Sequence, residues 1–223
     1  MAGVYQIYPK KRRSIFGGLS VTMMIVMINV ITFILFGLLI SSNNVFLDYI
    51  AIKPSNILAG KYFWTFLTSM FMHGGLFHLF ANMFSIVFIG SLVERILGKK
   101  RYLSFYLISG LLAGLLFVLS GLIFQTDLNT YAVGASGALF GLIGILMLIT
   151  PNLPVMIMFI PIPIKMKYAA PGILVVLWLI SVAGNIPIGN TAHLGGLLTG
   201  LGYGIYLKKK YKNKTRMIDK QFS

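Results

Sequence analysis

The stretch Gly134-Ala135-Ser136-Gly137-Ala138-Leu139-Phe140-Gly141 opens an apolar helix with small residues and a single serine. From Ser136 the chain runs without a charge to Thr150 and meets Pro151 and Pro154, and proline ends a helix because it lacks a backbone donor and clashes with the turn before it. A helix over 136–150 rises about 21 Å, less than the roughly 30 Å of a bilayer's hydrocarbon core. Its serine therefore sits at a helix mouth inside the membrane.

The surrounding chain supports a membrane setting. Its 223 residues are 57% hydrophobic and 10% charged, against about 25% charged in soluble domains. That composition describes a polytopic membrane protein whose single compact bundle uses nearly the whole chain. The chain has no cysteine, so disulfides and thiol catalysis are excluded.

Further apolar segments lie at 21–40, 76–93, 102–124, 169–182 and 191–207, which with 136–150 predicts an all-α bundle of six transmembrane helices. Segment 21–40 is too long for the apolar core of a signal peptide, and Ser41-Ser42-Asn43-Asn44 offers no small-residue cleavage site, so it reads as a retained span. The connection 41–75 is long and brokenly apolar (Phe46, Tyr49, Tyr62, Trp64). It predicts short amphipathic helices in the interface, with Trp64 and the tyrosines as anchors. Residues 151–167 are apolar but hold four prolines and cannot form a regular helix.

Basic residues orient the bundle. Those at 10–13, Arg95, Lys99, Lys100, Arg101, Lys165, Lys167 and seven in 208–220 fall on one side of a six-span threading; only Lys53 and Lys61 fall on the other. Both ends are thus predicted cytoplasmic, which divides the chain into a basic tail 1–18, a membrane domain 19–207 and a basic tail 208–223. The net charge of +15 reads as a topology signal and a contact with anionic lipid, not as a nucleic-acid face.

Polar groups at membrane depth are costly and mark function. The only acids are Asp48, Glu94, Asp127 and Asp219, all in loops, tails or at a span end. Aspartyl-protease dyads and most proton-relay transporters are excluded accordingly. Counting helical rise from the cytoplasmic ends puts Ser136 and His193 each about 21 Å in, and His78 and Asn82 about 24 and 18 Å in. One hydroxyl, two imidazoles and one amide from three helices share a layer. His73, about 31 Å from the level of Glu94, counts out to the outer surface and reads as a structural residue of the first loop.

Glycines 137, 141 and 144 face glycines 196, 200 and 204 as small-residue stripes, which let membrane helices approach backbone to backbone. Ser136 and His193 then come within hydrogen-bond reach, as general-base activation of a hydroxyl requires. Ser136 also begins its helix, where unpaired N–H groups and the dipole favour an anion, and His78 and Asn82 complete an oxyanion site. The result is a serine–histidine dyad with no third acidic member and no cofactor.

Gly134-Ala135-Ser136-Gly137, His78-Leu79-Phe80-Ala81-Asn82 and Ala192-His193-Leu194-Gly195-Gly196 with Gly200 resemble the G-x-S-G, H-x-x-x-N and A-H-x-x-G-x-x-x-G motifs of rhomboid intramembrane serine proteases. The resemblance spans residues 20–207, with the motifs in the second, fourth and sixth spans. It implies a serine endopeptidase that cuts in or near transmembrane segments of other membrane proteins, with Ser136 as nucleophile, His193 as base and acid, and His78 with Asn82 at the oxyanion. It further implies that the first loop is a half-submerged hairpin. Spans two and five, with the 184–190 loop (Gly184, Asn185, Pro187, Gly189), are the implied gate and cap. Two positions depart from the family pattern: Thr65 follows Trp64 where members often have arginine, and Phe140 stands where many have tyrosine.

Two other classes compete. A metal enzyme would use His73, His78 and His193 as ligands, but the depth count separates His73 from the other two. A non-catalytic rhomboid-like protein would bind transmembrane helices, although inactive relatives typically lack the serine or the histidine. An α/β-hydrolase elbow is ruled out by Ala138 where G-x-S-x-G needs glycine.

Overall fold

The computed structural model describes residues 19–157, 160–184 and 188–222. The basic run at 10–13 and loop residues Asn185 and Pro187 lie outside the described residues. The structure is a helical bundle built around one short central helix.

Helix α1 (Val21–Ser42) is apolar on nearly every face, and Ile31, Ile34, Leu35 and Leu38 are more than half exposed, as suits a lipid-facing helix. Its start is capped twice. Ser20 Oγ accepts from Met23 N–H at 3.1 Å. From across the bundle, Glu94 accepts from the N–H groups of Val21 (2.9 Å) and Thr22 (2.8 Å) and from the Thr22 hydroxyl (2.7 Å). A carboxylate at a helix N-terminus pairs orphan donors and meets the positive end of the dipole.

The first loop holds three short helices, α2 (Phe46–Ile50), α3 (Pro54–Leu58) and α4 (Thr65–Thr68), then a 3₁₀ turn at Ser69–Phe71. Tyr49, Tyr62 and Trp64 cluster with ring centroids 4.7–6.4 Å apart, and Trp64 Nε1 donates to the Tyr49 carbonyl at 2.9 Å. Thr65, the departure noted above, is buried and donates to the Tyr62 carbonyl at 2.7 Å. A small residue closes the turn there.

The second long helix runs over Leu76–Leu97 as α5 (Leu76–Ser85), a π segment (Ile86–Gly90) and α6 (Ser91–Leu97). Helix α7 (Lys99–Ser120) follows, then α8 (Gln125–Leu128) and the central α9 (Ser136–Ile149). Helix α9 is buried along its length because α5, α7, α10 and α11 all pack on it. Helix α7 stops at Ser120, earlier than apolarity to 124 suggested, because Gly121–Ile123 turn back through hydrogen bonds to Phe117, Val118, Leu119 and Ser120.

The proline-rich stretch forms an antiparallel hairpin, β1 (Pro154–Ile157) with β2 (Ile160–Lys165), pairing Val155 with Ile164 and Ile157 with Ile160. Both strands of a two-stranded sheet keep one open edge, where a residue without an N–H loses no ladder bond. Three helices complete the chain: α10 (Met166–Gly184), α11 (Asn190–Lys210) and α12 (Lys212–Lys220).

Among the described residues, α1, α5 to α6, α7 and α10 are long and apolar enough to cross a membrane. Helix α9 is apolar but has only 14 residues, and α11 has 21 residues diluted by glycines, His193 and three terminal lysines.

Helices α9 and α11 touch through their backbones. A Cβ at Gly196 would strike the Gly137 carbonyl, and one at Gly200 would strike the Gly141 carbonyl and lie 2.8 Å from Gly144 Cα. A Cβ at Gly144 would lie 2.6 Å from the Leu197 carbonyl. Alanine ordinarily stabilises a helix over glycine by up to about 1 kcal/mol. Gly200→Ala is expected to reverse that sign and destabilise by about 1–3 kcal/mol through overpacking. Gly202→Ala, where nothing lies within 4 Å, should be neutral or better; thermal unfolding in detergent compares the two.

The first loop is tied to the segment before α9 by Asp48, which accepts from the Tyr131 hydroxyl (2.7 Å) and Asn56 Nδ2 (2.8 Å). The Tyr131 bond, joined by the Asn56 bond and the positive charge of Lys53, outweighs burial and holds the Asp48 carboxyl below its ordinary value. Burial first, then Asp48, pushes the Tyr131 hydroxyl up to about 12. Because the folded value of Asp48 is depressed, its contribution is complete above the unfolded value of about 4 and is lost as pH falls through the folded value. Amide protection over 46–58, measured against the intrinsic exchange rate at each pH, is expected to fall below pH 4 in the native protein, and Asp48→Asn should show the lower protection already at neutral pH with no further fall in acid.

Candidate active site

Ser136 is the first residue of α9, and its approach is clamped from the first loop. Ile52 and Ala132 exchange backbone hydrogen bonds at 3.2 and 2.9 Å, and Gly134 N–H donates to the Ser69 carbonyl at 2.8 Å. Gly134 has φ +121°, a conformation L side chains rarely adopt. The chain thus reaches Ser136 in one fixed direction, with the open N–H groups of the first turn around it.

His193 stands in the first turn of α11, and its Nε2 lies 2.8 Å from Ser136 Oγ. Phe140, one helical turn after Ser136 on the same face of α9, stacks on the imidazole with centroids 4.7 Å apart and planes at 20°. His193 is buried, and no described group hydrogen-bonds to its Nδ1. Stacking and the hydroxyl orient this ring, in the place where a triad would use a carboxylate.

His78 and Asn82 lie one turn apart on α5. His78 Nδ1 accepts from Gly74 N–H at 3.4 Å. The opposite edge of the ring faces Gly134: a Cβ there would lie 2.8 Å from both Cε1 and Nε2 of His78 and 3.7 Å from Ser136 Oγ. The His78 edge and the serine hydroxyl thus converge on one spot that only glycine leaves open. Asn82 is buried and donates to the His78 carbonyl at 2.9 Å. Asn82 joins the cluster through α5 and has no hydrogen bond to Ser136 or His193.

His73 is not at an outer surface. It is 3% exposed, and its ring lies 5.1 Å from that of His78 at 68°. The step count assumed helix from 73 onward, whereas helix begins at Leu76 and the Gly74-Gly75 bend folds His73 back onto His78. Burial first, then the neighbouring His78, lowers His73 to about 3, so it is neutral at physiological pH. Among the described residues no three His, Asp or Glu side chains come together as a metal would need. Sequence reasoning missed the Ser69 carbonyl and the Ile52–Ala132 bridge; a glycine at 134, two residues before the serine, was the one available signal.

A hydroxyl within hydrogen-bond distance of an imidazole, beside open N–H groups at a helix start, holds the parts from which an activated nucleophile and an anion site are built. The family model described as a rhomboid domain matches residues 60–210. The chain belongs to the rhomboid family. RHOMBOID-like protein 6, mitochondrial, of Arabidopsis thaliana is 35% identical over 165 residues, covering 70% of this chain and 48% of that protein. RHOMBOID-like protein 2 of the same plant is 36% identical over 157 residues, 66% of this chain and 44% of the relative. A third, Inactive RHOMBOID-like protein 8, is 41% identical over 81 residues, 36% of this chain and 21% of the relative. This rhomboid therefore aligns with about half or less of the length of these curated relatives.

In this rhomboid, Gly134→Ala places a methyl group against His78 in a backbone conformation costing of order 1–3 kcal/mol. Labelling of Ser136 by a fluorophosphonate is expected to slow by about tenfold or more, the equivalent of 1.4 kcal/mol. Gly172→Ala, which meets nothing within 4 Å, should label like the native protein.

Proposed function

We propose that this rhomboid is an intramembrane serine endopeptidase that hydrolyses peptide bonds in or near transmembrane segments of single-span or polytopic membrane proteins. The observation that carries this reading is the 2.8 Å contact of His193 Nε2 with Ser136 Oγ at the start of a buried helix. His193 takes the hydroxyl proton as Ser136 attacks the scissile carbonyl, and the oxyanion develops against the first-turn N–H groups of α9 and the side chains of His78 and Asn82. His193 then gives the proton to the leaving amine. Water, activated by the same imidazole, releases the acyl group.

Substrate enters beside α5, whose outer face exposes Phe77, Phe80, Phe84 and Phe88, and α10, which exposes Val175, Val176, Leu179 and Val182. These spans with the 184–190 loop act as gate and cap. The charge bias supports six crossings of the cell membrane with both termini cytoplasmic. A non-catalytic, helix-binding role is the second reading, favoured by the match to the relative named as inactive.

Ser136→Ala and His193→Ala are each expected to lower cleavage of a model single-span substrate by at least about 10³-fold while the protein stays folded. Asn82→Ala should cost roughly 10²–10³-fold, the measure of one oxyanion donor. Gel-based cleavage, with mass-spectrometric mapping of fluorophosphonate on Ser136, checks both. Activity at the native level in either dyad variant, or no labelling of the native protein, would favour the non-catalytic reading.

A further inference from the structure

The end of the bundle away from Ser136 carries a groove that the proposed chemistry does not use. It lies between the first half of α7 and the second half of α11, holds about 490 Å³, and includes Lys100, Arg101, Ile108, Gly202, Tyr203 and Tyr206 in its lining. Its floor is aromatic: Phe105 stacks on Tyr203 at 5.0 Å and Tyr203 on Tyr206 at 5.7 Å. Its mouth is cationic. The Arg101 guanidinium lies 5.5 Å from the Tyr211 ring, and Lys210 Nζ donates to the Tyr206 hydroxyl at 2.8 Å. Helix α7 also presents its N-terminus here without an acidic residue in its first turn, and a helix N-terminus attracts an anion. Glu94, the acid nearest Lys100 and Arg101 in the sequence, is taken up with the start of α1.

We infer that this groove binds one anionic phospholipid, its phosphate held by Lys100 and Arg101 and the upper part of an acyl chain laid along Ile108, Gly202 and Tyr203. Charge complementarity selects the occupant. The lining of the groove includes two cations and no carboxylate, so a zwitterionic headgroup would bring its ammonium against like charge. Aromatic rings with a polar edge suit the level where headgroup meets acyl chain. The chain needs the absent side chain at Gly202, where a Cβ would meet nothing within 4 Å; the space there is open groove. The proposal rests on the reading that this basic end faces the cytoplasmic leaflet, where anionic lipid is found.

The test uses the full chain in neutral maltoside micelles with equal amounts of phosphatidylglycerol and phosphatidylcholine, and native mass spectrometry counts the lipid retained. One phosphatidylglycerol per chain is expected, preferred about tenfold over phosphatidylcholine, a ratio of 1.4 kcal/mol. Gly202→Leu, whose Cβ meets nothing within 4 Å and whose side chain occupies the groove, and Lys100→Gln with Arg101→Gln should each lower that adduct by about tenfold. Lys208→Gln with Lys209→Gln, outside the groove, should leave it intact. Equal retention of the two lipids, an unchanged adduct in Gly202→Leu, or an equal loss in the Lys208 and Lys209 pair would overturn the site. Ser136→Ala should retain lipid like the native protein, so failure of the protease reading leaves this result untouched. Failure of the topology reading shows separately in intact cells, as tagged termini accessible from the outer side.

Discussion

Everything at the centre of this protein depends on two helices meeting backbone to backbone. Lipid chains are as apolar as leucine, so no hydrophobic drive holds membrane helices together, and association relies on close van der Waals contact. Here that contact is made by Gly137, Gly141 and Gly144 against Gly196, Gly200 and the Leu197 carbonyl. Any side chain at those crossings would part the helices by more than a 2.8 Å hydrogen bond tolerates. The serine on α9 and the histidine on α11 meet because the residues just after each of them are almost nothing.

The rest of the bundle uses its few polar groups to hold that crossing in place. Among the described residues Glu94 is the one buried carboxylate, and it closes the N-terminus of α1, a use that costs less than leaving either the acid or the helix start unpaired. The first loop does the same for the site from the other end, through Ser69 to Gly134 and Ile52 to Ala132. Phe140 stacks on His193, where a serine triad would place a carboxylate. A carboxylate beside His193 would have to be desolvated, whereas an aromatic face carries no such penalty.

The apolar segments were legible because lipid imposes length and composition on each span separately. The expected 21–40 and 191–207 lie within the observed Val21–Ser42 and Asn190–Lys210. The glycine stripes were legible because they recur at helical spacing on two segments, and the histidine and asparagine spacings because the chain has only three histidines and four acids. The hairpin over 154–165 was readable only as a place where helix must fail. Proline forbids one structure without choosing another, and the pairing of Val155 with Ile164 is a contact between segments.

The sequence by itself determined a helical membrane bundle, the helices that carry Ser136, His193, His78 and Asn82, and the small residues through which two of those helices approach, because these follow from local composition and period. Tertiary structure alone decided that His73 folds back onto His78, that Glu94 caps a helix 72 residues away, and that Ser69 fixes the approach to Ser136. Each of these joins groups distant along the chain, or turns on a bend of a few residues that no period records. Their energies depend on which surfaces face each other once the spans have packed.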